Sequence, residues 1–140
     1  MKPLSLLGLM LLTTGLGACA PVNALGVEIS IDLKEFAFQP SEIEVPQGAL
    51  VRVILRNSGT IEHDWAVQEI DVTTFNAGPQ AGHDMHAMTN APKLHAATQV
   101  GQTARLEFRP EKAGTYEILC TVAGHKEAGM KGRLIVKARS

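Results

Sequence analysis

Val27-Glu-Ile-Ser-Ile-Asp-Leu-Lys34 places an apolar side chain at every second position, with polar or charged residues between. A period of two is the mark of an extended chain with one face buried and the other wet. Outward from this stretch the same alternation returns. Val51, Val53 and Leu55 share one face and Arg52, Ile54 and Arg56 the other, while Ala104, Leu106 and Phe108 alternate with Arg105, Glu107 and Arg109. Shorter β-rich runs lie at Phe36 to Pro40, at Ile43 and Val45, at His63 to Ile70, at Thr115 to Cys120 and at Arg133 to Lys137. Turn residues separate them: Pro46-Gln-Gly48, Asn57-Ser-Gly59 and Pro110-Glu-Lys-Ala-Gly114. Seven or eight short strands spaced by turns predict an all-β fold, an antiparallel Greek-key β-sandwich.

Residues 71–101 break the alternation. They are rich in Ala, Gly, Thr, His and Met, and the expectation is a long loop with one helical turn near Ala87 to Leu94. The predicted organisation is therefore a domain over residues 27–140 carrying a His/Met-rich insertion at about 71–101. At 140 residues and 45% hydrophobic content the chain holds one such domain. Its formal charge of −1, with a single Trp and a single Tyr, argues against a basic face or a stacking platform for nucleic acid.

The N-terminus reads as an address. Lys2 precedes the apolar run Leu4 to Leu12, which is shorter than the ~20 residues a membrane-spanning helix needs. Leu16-Gly-Ala-Cys19 then offers small residues before a cysteine. A cleaved signal peptide over residues 1–18 is expected, followed by a tether at 19–26. The ending resembles a bacterial lipobox, which implies diacylation of Cys19 and a lipoprotein held at the periplasmic side of the cell envelope. Ordinary secretory cleavage near Ala18 or Ala20 is the plainer alternative. With Cys19 lipidated, Cys120 is a lone thiol in an exported chain and needs a reason.

Cys120-Thr-Val-Ala-Gly-His125-Lys-Glu-Ala-Gly-Met130 supplies one, by setting a thiolate, an imidazole and a thioether on one short loop. His63 lies on a distant predicted strand. One Cys, two His and a weak Met form the ligand set of a blue-copper site, since thiolate and thioether suit Cu(I) and imidazole suits either oxidation state. Gly124 and Gly129 provide the turns that aim His125 and Met130 at one point. Singly, His63 is most simply a core or surface histidine, Met130 packing, and Cys120 a small buried hydrophobe. Their joint spacing in an exported β-rich chain is what carries the reading.

Phe38-Gln-Pro40, Val45-Pro-Gln-Gly48, Asn57 to Trp65, Gly114 to Cys120 and Met130-Lys-Gly132 together resemble the cupredoxins, the small blue-copper proteins, over most of residues 27–138. The Cys-x4-His-x4-Met spacing is closer to the auracyanin type than to plastocyanin or azurin. The resemblance implies His63, Cys120 and His125 as equatorial copper ligands and Met130 as the weak axial one. It also implies a bond between the two ligand loops through the residue after the first histidine. That residue is usually Asn in the family; here it is Asp64, facing Thr121.

A type 1 copper electron carrier is the leading functional expectation, with c-type cytochromes or membrane electron-transport complexes as partners and no small-molecule substrate. His125 is expected to be the electron port, amid an apolar surface of Val122, Ala123, Gly124, Ala128 and Gly129. A copper chaperone or buffer is the alternative, using His83, Met85, His86, Met88 and His95 as a second Cu(I) site; the plainer view of that cluster is a polar loop with incidental methionines. An enzyme is the weakest class. Oxidases and reductases of this chemistry need further copper centres, which one usable cysteine cannot furnish.

Overall fold

The computed structural model describes residues 26–76 and 90–139. The expected signal peptide, the tether up to residue 25 and Cys19 lie outside the described residues, as do His83, Met85, His86 and Met88. Ten strands occur among the described residues: β1 Val27–Lys34, β2 Ala37–Gln39, β3 Glu42–Pro46, β4 Val51–Asn57, β5 His63–Val67, β6 Val72–Asn76, β7 Leu94–Thr98, β8 Thr103–Pro110, β9 Gly114–Leu119 and β10 Lys131–Lys137. They form two five-stranded sheets, in the orders β2-β1-β4-β8-β6 and β3-β10-β9-β5-β7. The all-β sandwich expected from the alternation is thus what the chain adopts. Two pairings are parallel rather than antiparallel, β1 with β4 and β3 with β10.

The alternating faces become the core. Ile31, Leu33, Val51, Val53, Leu55, Leu106 and Phe108 are all fully buried on the first sheet. Leu94, Ala96, Ile118 and Leu134 meet them from the second. Trp65 on β5 and Phe108 on β8 stack across the sandwich with ring centroids 6.4 Å apart. Burying an apolar side chain of this size contributes ~2–3 kcal/mol, so these two rings help hold the sheets together two residues along β5 from His63.

Residues 71–101 depart from the expected long loop. They contain β6, which pairs with β8 through a bulge, and β7, which pairs with β5. No helical turn occurs over 90–94, the described part of the segment where one was expected. β7 is buried at all five positions, so its Leu-His-Ala-Ala-Thr carries no alternation to read. β6 is almost wholly exposed, with two threonines and an asparagine, and its edge position explains the weak signal.

Candidate metal centre

Two segments bring the donors together. Asn57, at the end of β4, is 2% exposed and builds the loop that delivers His63. Its Nδ2 donates to the carbonyls of Ile61 and Thr98, each at 2.8 Å, and its Oδ1 accepts from Gly59 N–H at 3.0 Å. Glu35, in the β1–β2 turn, braces the same loop by accepting from the Thr60 hydroxyl at 2.8 Å and from the Thr60 backbone N–H. The Thr60 backbone bond, chiefly, holds the exposed Glu35 carboxyl below its usual value. His63 opens β5 with 0% exposure.

The second segment runs from Cys120, just after β9, to Met130, just before β10. It closes on itself through backbone bonds that include His125 N–H to Val122 O at 3.1 Å, Met130 N–H to His125 O at 2.9 Å and Cys120 N–H to Met130 O at 3.2 Å. Gly124 and Gly129 have φ of 83° and 103°, the left-handed backbone that glycine adopts without steric cost. A loop tied at both ends to rigid strands has little freedom to re-aim its side chains.

The outcome is a convergence of donor atoms. Nδ1 of His63 lies 3.2 Å from Nδ1 of His125, and Cys120 Sγ lies 3.4 Å from the same His125 nitrogen. One donor atom from each of His63, Cys120 and His125 falls within 4.8 Å of the others, and all three residues are buried. Met130 is fully buried and hydrogen-bonded through its backbone to both Cys120 and His125. The spacing argument is therefore met in space for the three nitrogen and sulfur donors, with the methionine fixed on the same loop.

These donors suit a metal ion better than they suit one another. Burial first, and then the neighbouring His125, hold His63 below the usual imidazole value. Neutral imidazoles facing through Nδ1 can share at most one proton. Burial, reinforced by the Asp64 charge, pushes the Cys120 thiol up to about 12. A cation at the convergence point would accept all three lone pairs and stabilise the thiolate. Thiolate and imidazoles, with a thioether close by, select copper over the oxygen-seeking ions.

Asp64 is fully buried beside the donors, and its backbone N–H donates to Cys120 Sγ at 3.5 Å. Its carboxylate accepts from Thr121 N–H at 2.6 Å and from the Thr121 hydroxyl. The tie expected between the two ligand loops is present, made by a carboxylate in place of an amide. Burial alone would raise the Asp64 carboxyl, but bonds from His95 and Thr121 outweigh it and hold it below its usual value.

Two residues near the centre escaped the sequence reading. His95, grouped there with the His/Met cluster, sits instead on β7 with 5% exposure, and its Nε2 lies 3.1 Å from Asp64 Oδ2. Phe36 packs its ring edge-on against His125, centroids 5.4 Å apart at 87°. It leaves His125 only 6% exposed while remaining 44% exposed itself. The available signal was an aromatic residue at the second position of a two-residue hairpin turn, where φ is +57° and glycine or asparagine is the usual occupant.

Comparison with known proteins agrees with the geometry. The cupredoxin-like domain family model matches residues 6–136. The copper-resistant cuproprotein CopI of Rubrivivax gelatinosus is 31% identical over 100 residues, which cover 71% of this chain but 59% of that relative's length. Auracyanin-A of Chloroflexus aurantiacus is 28% identical over 119 residues, 79% of this chain and 73% of its own. Among solved structures, dithionite-reduced auracyanin of Roseiflexus castenholzii superposes with a TM-score of 0.61 at 22% identity, over 80% of this chain and 98% of that one. With a sandwich fold, a buried Cys–His–His convergence and a family match along nearly its whole length, the chain belongs to the cupredoxin-like family, and copper is the ion its centre takes.

Proposed function

We propose that this chain is a type 1 copper electron carrier of the cell envelope, moving single electrons between redox proteins without transforming a substrate. The observation that carries the reading is the convergence of His63 Nδ1, Cys120 Sγ and His125 Nδ1 in a buried, strand-anchored pocket. When bound, copper supplies one-electron exchange between Cu(I) and Cu(II). The chain's own contribution is rigidity. His63 and Cys120 sit at the ends of strands, and the backbone bonds inside the 120–130 loop hold His125 and Met130 in place. A donor set that does not rearrange between oxidation states keeps the cost of each exchange low.

The exit surface follows from exposure. His125 is 6% exposed; Phe36 against its ring and Ala123, Gly124 and Ala128 on its loop are exposed and uncharged, with Lys126 and Glu127 beside them. A small apolar patch of this kind fits brief encounters with c-type cytochromes or membrane complexes. The Leu16-Gly-Ala-Cys19 sequence supports a lipid anchor at Cys19, which would keep the carrier beside such partners.

A second reading, copper sequestration, is favoured by the identity of the relative named for copper resistance. It would draw on His83, Met85, His86 and Met88, without His95. Adding Cu(II) to the metal-free protein distinguishes the two. A carrier develops intense visible absorption at one copper per chain, loses it in Cys120→Ser, and exchanges electrons rapidly between its own oxidised and reduced forms. A sequestering protein takes up further Cu(I), and alanine replacement of those four residues abolishes the excess.

A further inference from the structure

We infer that His95 is a positioning residue for the copper centre, acting through Asp64 to set the reduction potential. The inference rests on the metal centre described above and not on the electron-carrier reading. His95 and Asp64 occupy diagonal positions of the β5–β7 pair, where Asp64 faces Ala97 and Ala66 faces His95. Diagonal neighbours on one sheet face are within reach of long side chains, and here Nε2 and Oδ2 meet at 3.1 Å. His63 and Trp65 alternate to the opposite, core-facing side. The centre is thus held from both faces of β5, by its ligand on one and by a carboxylate on the other.

Among the groups that address the Asp64 carboxylate are the Thr121 N–H, the Thr121 hydroxyl and His95 Nε2. An ionised carboxylate offers acceptors only, and against it the His95 nitrogen donates. A full negative charge therefore stands, inaccessible to water, on the residue whose own N–H bonds the copper-binding sulfur. Such a charge favours Cu(II) over Cu(I), because it sits in a poorly screened interior. The His95 donor opposes this by drawing carboxylate charge toward β7 and away from the metal. It also fixes the carboxylate plane, and through Thr121 the start of the ligand loop. Thr121 supplies two of these bonds from the ligand loop itself, and His95 ties the carboxylate to a third strand, β7.

Redox titration of the copper-loaded protein tests this. His95→Leu is expected to lower the midpoint potential, changing the Cu(II)/Cu(I) ratio at fixed poise by about tenfold, which is about 59 mV for one electron. His95→Gln keeps a side-chain N–H donor and is expected to stay within about twofold of the parent. Asp64→Asn is expected to raise the potential, and adding His95→Leu to it should change nothing further. Thermal unfolding of the metal-free forms separates loss of packing from loss of the donor, since a packing role would predict equal damage from Leu in both backgrounds. An unchanged or raised potential in His95→Leu overturns the inference, as does failure of Gln to restore it. Either result leaves the copper centre itself standing, because that fails only if Cys120→Ser retains the visible absorption.

Discussion

His63 and His125 face each other through Nδ1 at 3.2 Å, although 62 residues separate them in the chain. Without a metal this is an uncomfortable pair, two buried rings whose facing nitrogens can hold at most one proton between them. Copper should therefore stabilise the fold strongly. At a free-ion concentration about a thousandfold above the dissociation constant, ~4 kcal/mol is expected, read as a rise in unfolding midpoint by calorimetry. His125→Ala should abolish most of that rise while costing the metal-free protein comparatively little. Equal destabilisation of both forms would mean that the ring serves packing alone.

The same pair gives a pH dependence. Burial and the facing His125 depress the folded His63 value below its ordinary 6.5. The unfolded chain then takes up the proton first as pH falls, so the stability due to neutral His63 is present above 6.5 and is lost as pH drops through the folded value. Cys120 acts at the other end of the scale. Its folded value of about 12 lies above the ordinary 9.0, so its contribution is intact below 9 and disappears as pH rises toward 12. Metal-free protein should show a stability plateau between these limits. Copper binding near pH 7 should release about one proton, from Cys120, measurable in a weakly buffered titration.

Phe36 covers the ligand that would otherwise meet solvent. Its φ of +57° is an unfavourable conformation for a non-glycine residue, costing ~1–3 kcal/mol, and such costs gather at functional positions. Phe36→Ala should open His125 to water and speed removal of copper by a small chelator about tenfold. Phe36→Gly should do the same while recovering part of the backbone cost, so its metal-free form should unfold at a higher temperature than the alanine variant. Identical chelation rates in parent and variants would show that the ring does not shield the site.

How much of this was legible beforehand depended on periodicity and spacing. β1 and β8 bury one face each, as β4 does apart from the additionally buried Ile54, and their alternation names both the strand and its buried side. The ligands on the 120–130 loop were legible because a metal site on one short turn leaves its spacing in the sequence. His63 was found through its neighbours Asn57 to Trp65. β7 was missed because all five of its positions are buried, His95 and Thr98 included, so no alternation of polar and apolar residues follows its faces. His95 was misplaced for a related reason. It follows a His/Met-rich run in sequence, but its bond to Asp64 is a product of strand pairing, which composition does not encode.

Gly132 offers a test of how closely the ligand loop is bound to the sandwich. It is the second residue of β10, opposite Ile118 and two residues after Met130, and a Cβ built there would overlap the carbonyl of Ser41. That carbonyl is not free to retreat, because it accepts from Arg133 N–H at 2.8 Å and so stitches the start of β3 to β10. A glycine inside a strand commonly marks such a close backbone approach. Gly132→Ala must push the two strands apart or break that bond, and a cost of ~1–3 kcal/mol in the metal-free protein is expected from forced overpacking. Because Met130 N–H and Cys120 N–H depend on the same register, the variant should also broaden the visible band of the copper form. A variant as stable as the parent, with an unaltered spectrum, would mean that the loop keeps its shape independently of the β3–β10 seam.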